Sequence, residues 1–206
     1  MPPNTVEVRG DSASDKCSLM GRGNILDISF LEMASSEIER IRRFQKHKDA
    51  SSNSGYHKFP PACWALLKRM DGNQRCVDCG EHDPQWAAVS YGALLCLNCS
   101  GYHRSLGVRV SCVRSVTMDE WSLEHVIAML EGGNAQMTAF FIRHCLCPTT
   151  ANALQTKYAS SACSIQPSNV ARIRYKTKAG LFYRQQMTLH VKRTLQAGPY
   201  RGRAIS

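Results

Sequence analysis

The chain has 206 residues, 43% hydrophobic and 20% charged, with ten cysteines and a formal net charge of +10. Its longest apolar stretch, from Ala87 to Leu97, is broken by Ser90 and Gly92 and falls far short of the roughly 20 residues that cross a bilayer. The polar run from Met1 to Asn24 lacks the apolar centre of a signal peptide, so the expectation is a soluble intracellular protein of one ordinary domain plus tails. In a reducing compartment, paired cysteines hold metal more often than they form disulfides.

The positive charge is unevenly placed. Residues 1–70 carry net +3, residues 71–150 net −3, and residues 151–206 ten basic and no acidic side chains. The middle of the chain, where the cysteine pairs lie, is therefore acidic.

In chain order, residues 1–24 read as a disordered tail punctuated by proline, glycine and serine. From Asp27 to about Lys48, Leu31, Ala34, Ile38 and Ile41 recur at helical spacing and define an apolar face. That face suits docking on a domain or partner. Glu32, Glu37 and Glu39 oppose the alternative of adsorption to an anionic membrane. Residues 49–61 read as a linker. Trp64, Leu67 and Met70 mark a helix that Asp71-Gly72-Asn73 stops. Ala87 to Cys96 reads as two short strands around a Tyr91-Gly92 turn, and Leu97 to Leu106 as a helix closed by Gly107. The β-branched alternation from Val108 to Val116 predicts a strand. Thr117-Met118-Asp119-Glu120 has capping-box spacing and predicts a helix through Leu130. Gly132-Gly133 ends it, Asn134 is placed to cap the next helix, and Pro148 to close that one. Residues 149–168 read as a loop or insertion. A last basic helix, capped by Ser168 or Asn169, runs from Val170 to about Gln196. The domain division is thus 1–60, 61–188 and a basic tail, 189–206.

Cys76 and Cys79 form one CxxC pair, Cys96 and Cys99 a second, with sixteen residues between them. A CxxC turn brings two sulfurs to one side of an ion about 2.3 Å away, and two turns complete a tetrahedral shell. One structural Zn²⁺ is the expected cofactor, with no open position for water. A redox dithiol would explain one pair but not two. His82 and His103 are near enough in sequence to be weighed as ligands. With four cysteines in place, His103 is expected to pack or hydrogen-bond beside Arg104. The other six cysteines form no second CxxC pair and read as buried apolar residues or surface thiols.

The block from Cys76 to Trp121 decides among zinc modules. It carries Pro84-Gln85-Trp86, Tyr91-Gly92, Ser100-Gly101, His103-Arg104, Leu106-Gly107-Val108 and Val113-Arg114-Ser115-Val116-Thr117-Met118-Asp119, with Gly132-Gly133-Asn134-Ala135 beyond. With CxxC, sixteen residues, CxxC, four residues and Arg, this resembles the Arf GTPase-activating protein (ArfGAP) family, nearest to the Golgi-associated members without ankyrin repeats. Tyr175-Lys176-Thr177-Lys178-Ala179 and Tyr183-Arg184 resemble the end of the family domain. The resemblance covers about residues 61–188. Arg109 stands where the family usually has histidine, and 149–168 is longer than the family's usual stretch.

The resemblance implies an α+β fold, with a short antiparallel sheet and a zinc finger surrounded by helices. It implies a GTPase activator for GTP-bound Arf-family GTPases, not itself an enzyme, at work in vesicle traffic on Golgi or other membranes. Arg104 would be the arginine finger inserted in trans. Trp86 and Asp119 are candidate partner contacts, while Trp121 is expected in the core. Arg172, Arg174, Lys176, Lys178, Arg184, Lys192 and Arg193 read as a solvated helical face or an anionic-membrane contact. Two other classes compete with this reading. One is a non-catalytic Arf binder, which Arg104 argues against. The other is a nucleic-acid-binding zinc protein, which would need basic residues near the metal, where this chain is acidic.

Overall fold

The computed structural model describes residues 25–46, 58–146 and 173–203. The expected disordered tail (1–24), residues 49–57 of the linker, Pro148, the 149–168 stretch and the start of the last basic helix lie outside the described residues. Helix α1 spans Ile25–Lys46, α2 Pro61–Arg69, α3 Leu97–Ser105, α4 Leu123–Glu131, α5 Asn134–Arg143 and α6 Lys178–Gln196. Strands β1 (Trp86–Ala88), β2 (Ala93–Leu95) and β3 (Val113–Ser115) form one antiparallel sheet in the order β2-β1-β3. The described residues also include 3₁₀ turns at Val89–Tyr91 and Arg174–Lys176. The α+β class with helices around a small sheet is as expected.

The apolar face of α1 docks as its periodicity predicts. Ala34 and Ile38 are buried, with Leu31 and Ile41 packed alongside. One glutamate counted against membrane adsorption has a different job. Helix α2 begins after Pro60 with no side-chain cap of its own, so its first amide donors need an acceptor from elsewhere. Glu37 Oε2 supplies it, accepting from the Ala62 and Cys63 amides at 2.9 and 3.4 Å. The segment 25–46, placed by sequence in a tail, therefore shares the core of the domain.

A similar correction applies to the other end. Residues 189–203 are not a tail, since α6 continues to Gln196 and buries Val191. Tyr200 is also buried, its hydroxyl donating to Glu131 Oε1 at 2.9 Å. Residues 198–202 then run back along α1. Arg42 Nη1 donates to the Gly198 carbonyl at 2.5 Å, the Tyr200 amide donates to Glu39 Oε1 at 3.3 Å, and Gly202 lies against Leu31.

The outer edge of β2 is closed by a side chain. Asn134 Oδ1 accepts the Leu94 amide at 2.7 Å, and its Nδ2 donates to the Arg75 carbonyl at 2.6 Å. Asn134 is thus the first residue of α5 and a bridge to the sheet, not the helix cap that sequence assigned; Gly133 stands at that position. Gly92, with φ +60°, turns the chain from the 3₁₀ turn into β2. A Cβ there would meet the Ala128 carbonyl oxygen at 2.5 Å and Gly132 Cα at 2.9 Å. The sheet and the end of α4 touch backbone to backbone, which only glycine allows.

Three sequence boundaries are corrected. Only Val113–Ser115 of the Val108–Val116 run is a strand. Residues 108–110 form a turn after Gly107 (φ +86°), closed by the Val110 and Ser111 amides donating to the Gly107 carbonyl. The capping box at Thr117–Glu120 opens no helix; α4 starts at Leu123 with Ser122 Oγ accepting the His125 amide at 3.2 Å. Within the described residues the last basic helix is not continuous: Arg174–Lys176 is a 3₁₀ turn, and α6 starts afresh at Lys178, where Thr177 Oγ1 accepts the Gly180 amide at 3.1 Å.

Candidate functional site

The two CxxC pairs converge. The ligand sulfurs of Cys76, Cys79, Cys96 and Cys99 all lie within 4.8 Å of one another. The first pair sits on a tight knuckle. The Cys76 amide donates to the Glu81 carbonyl at 2.7 Å, the Gly80 amide returns to the Cys76 carbonyl at 2.9 Å, and Gly80 takes φ +79°. The second pair opens α3, with Cys96 at its N-cap and its sulfur accepting the Cys99 amide at 3.4 Å. His82 lies away, bridged to Arg75.

Four thiols at this distance cannot all ionise without a cation between them. A hydrogen bond from Cys99 brings the Cys76 thiol down to about 5, while burial pushes Cys96 up to about 12. Cys99 is raised too, chiefly because its proton is committed to Cys76. Cys96 and Cys99 thus favour the protonated thiol beside the lowered Cys76. A metal ion replaces those protons and lets all four act as thiolates, so the donor set fits a metal that prefers sulfur.

Arg104 lies on the exposed side of α3, in its last turn, with its guanidinium 4.5 Å over the Trp86 ring. Trp86, half-buried on β1, gives the cation an aromatic rest. His103, the next residue back and about 100° around the helix, is fully buried. Its Nδ1 meets Ser111 Oγ at 2.7 Å and its Nε2 meets Asp78 Oδ2 at 3.0 Å. Asp78 lies between the two cysteines of the first pair. Its Oδ1 also accepts from Arg174 Nη2 and the Tyr175 hydroxyl. Burial opposes the Asp78 charge. The His103 hydrogen bond, with Arg174 and Tyr175, outweighs that and holds the carboxyl below its usual range.

Asp119 caps no helix. Its Oδ2 accepts the Ser115 amide at 2.6 Å, closing the turn after β3. Trp121 is buried as expected, edge-on to Phe59 at 4.7 Å. Arg109 presents its carbonyl to the Arg184 guanidinium. Of the basic residues assigned to a solvated or membrane-facing surface, Arg172 lies outside the described residues. Arg174 is 1% exposed and ion-paired to Asp78, so it belongs to the core. Sequence reasoning gave Asp78 no role, grouped Arg174 with surface charges and read Tyr175 only as part of the domain's end. The signal for Asp78 was a carboxylate set between two thiolate ligands, where it needs counter-charge; nothing local marked Arg174.

The family model ArfGap, described as "Putative GTPase activating protein for Arf", matches residues 62–180, more than half of the chain. The chain belongs to the ArfGAP family. The ADP-ribosylation factor GTPase-activating protein GCS1 of Saccharomyces cerevisiae is 46% identical over 78 residues, 38% of this chain and 22% of that protein. ADP-ribosylation factor GTPase-activating protein 3 of Rattus norvegicus is 42% identical over 105 residues, 50% of this chain and 19% of its own. The chain thus covers about a fifth of either ArfGAP relative. A solved structure from Cryptosporidium parvum, "putative GTPase activating protein for ADP ribosylation factor", shares the fold. Its TM-score is 0.50 at 23% identity, over 63% of this chain and 88% of that one.

Proposed function

We propose that this chain activates GTP hydrolysis by Arf-family small GTPases in their GTP-bound form, with Arg104 as an arginine finger in trans. The observation that carries the reading is the placement of Arg104. It is exposed at the end of a nine-residue helix whose start is built into the four-cysteine site. An arginine finger neutralises charge that spreads over the transferred phosphoryl group. Its planar fork meets several oxygens together and its charge does not depend on pH. Membership of the ArfGAP family supplies the partner class, since the matched relatives bear that activity in their names. In this role the protein is an activator and the GTPase is the enzyme. Trp86 holds the guanidinium ready and lies where an approaching GTPase meets it; Asp119 supports that surface through the turn it closes.

The metal in this reading is one Zn²⁺ held by Cys76, Cys79, Cys96 and Cys99. It supplies folding energy and no reaction chemistry.

The reading includes work in vesicle traffic, peripheral to Golgi or similar membranes. Support comes from α6, where Leu181, Phe182 and Leu189 are exposed between Lys178 and Lys192. Apolar side chains flanked by lysines suit an anionic surface. No helix among the described residues is long and apolar enough to cross a membrane.

One experiment tests the whole reading: single-turnover GTP hydrolysis by a purified Arf GTPase on vesicles, with and without this protein. The expected result is an acceleration on the order of 10³-fold or more, larger on phosphatidylserine-containing than on neutral vesicles and reduced by salt. No acceleration on either vesicle sinks the activity; equal acceleration on both sinks the membrane contact.

A further inference from the structure

Helix α3 has an unusual anchor. Its buried residues are Ser100 and His103 alone, neither of them apolar. A short helix is ordinarily held in place by an apolar stripe. Here the start is fixed by Cys96 and Cys99, and the far end rests on the imidazole of His103. Three parts of the chain meet that ring. Ser111 comes from the turn before β3, Asp78 from the first cysteine knuckle, and Tyr175 packs edge-on with ring centroids 4.3 Å apart. Arg174 holds Asp78 in turn, its Nη2 also reaching the Val77 carbonyl at 3.3 Å and the Tyr175 hydroxyl at 2.9 Å. Gly180 keeps Arg174 in place: a Cβ there would lie 2.5 Å from the Arg174 carbonyl oxygen, so α6 closes directly on that turn.

We propose that His103 is a positioning residue for Arg104, and that Asp78 with Arg174 is the buried brace that fixes it. This inference rests on the finger reading above. His103 and Arg104 are successive residues about 100° apart around one helix, the first buried and the second exposed. Rotation of α3 about its axis is blocked by the imidazole bonds, and the same rotation would swing the guanidinium away from its target. A misplacement of about 1 Å can cost a reaction about 10²-fold. The brace acts on where the arginine stands, so its loss lowers the maximal rate more than it weakens docking.

The test is single-turnover GTP hydrolysis titrated with full-length His103→Leu and His103→Gln, with metal content measured on each. Leucine removes both ring bonds, while the glutamine amide can still donate to Asp78. The expected result for His103→Leu is a maximal rate about 10- to 100-fold lower, with half-saturation shifted less than about 3-fold and metal content unchanged. His103→Gln recovers most of the rate. Arg174→Lys, remote in sequence from the cysteines, keeps the charge but loses the fork and shows a smaller loss of the same rate-selective kind; it carries the test if His103→Leu loses its metal. A normal maximal rate in His103→Leu, or a loss confined to half-saturation, overturns the inference. So does a His103→Gln no better than His103→Leu. If the wild type gives no stimulation, or Arg104→Lys stimulates as well as it does, the finger reading itself fails and the inference falls with it.

Discussion

Arg104→Lys is expected to lose stimulation by about 10³-fold or more while keeping its metal and near-UV circular dichroism. The side chain is exposed on α3, with its guanidinium over the Trp86 ring. Nothing in the core depends on it, so lysine is structurally tolerated. The loss is chemical. Lysine keeps the charge but presents a compact ammonium where the developing charge lies on several oxygens at once. A 10³-fold loss corresponds to about 4 kcal/mol of transition-state stabilisation. Single-turnover hydrolysis, titrated to saturation, separates this from weaker docking. Stimulation equal to wild type would remove Arg104 from the chemistry.

Cys79→Ser is expected to unfold the centre of the domain. Cys79 is the informative choice because it is exposed, whereas Cys76 and Cys96 are buried. Serine at an exposed position creates no cavity, so any large effect reports on the metal. A structural zinc contributes about 10–16 kcal/mol of apparent binding energy in small domains, comparable with the 5–15 kcal/mol that typically separates folded from unfolded states. Loss of one thiolate removes much of that contribution and frees the start of α3. The measurements are zinc per chain by plasma mass spectrometry and near-UV circular dichroism, with exposed Cys145→Ser as the control. A Cys79→Ser protein with native circular dichroism and no metal would show that packing alone holds the fold. Iron instead of zinc in the wild type would correct the metal.

Much of this was legible in the sequence where a local rule acts alone. The CxxC spacing foretold that four sulfurs would meet, because each pair is a local turn. The docking face of α1 was legible because its period is helical. Misreadings came where tertiary contacts compete with a local pattern. Val108 to Val116 alternates like a strand, but Gly107 turns the chain and Val108 is left exposed. Thr117 to Glu120 has capping-box spacing, but Asp119 is already committed to the Ser115 amide and Ser122 caps α4 instead. Asn134 looked like a cap and is a buried bridge, because the bare edge of β2 needs its amide more. Arg174 was grouped with surface charges; only its pairing with Asp78, 96 residues away, explains why burial is tolerated.

The strap of residues 198–202 along α1 sets an order on folding. Its hydrogen bonds to Arg42 and Glu39 join residues 156 and 161 apart in sequence. Closing a free loop of that length costs about 4.5 kcal/mol in chain entropy beyond the constant term, about as much as two hydrogen bonds to charged groups return. They become favourable only after α1 has docked on α2, and α6 on α4, have shortened the effective loop. The strap is therefore expected to form after those packings and to open before the sheet. Native-state hydrogen exchange should find the Tyr200 amide opening with a free energy well below that of the Leu94 amide in the sheet. Equal protection at both would mean that the strap closes together with the core.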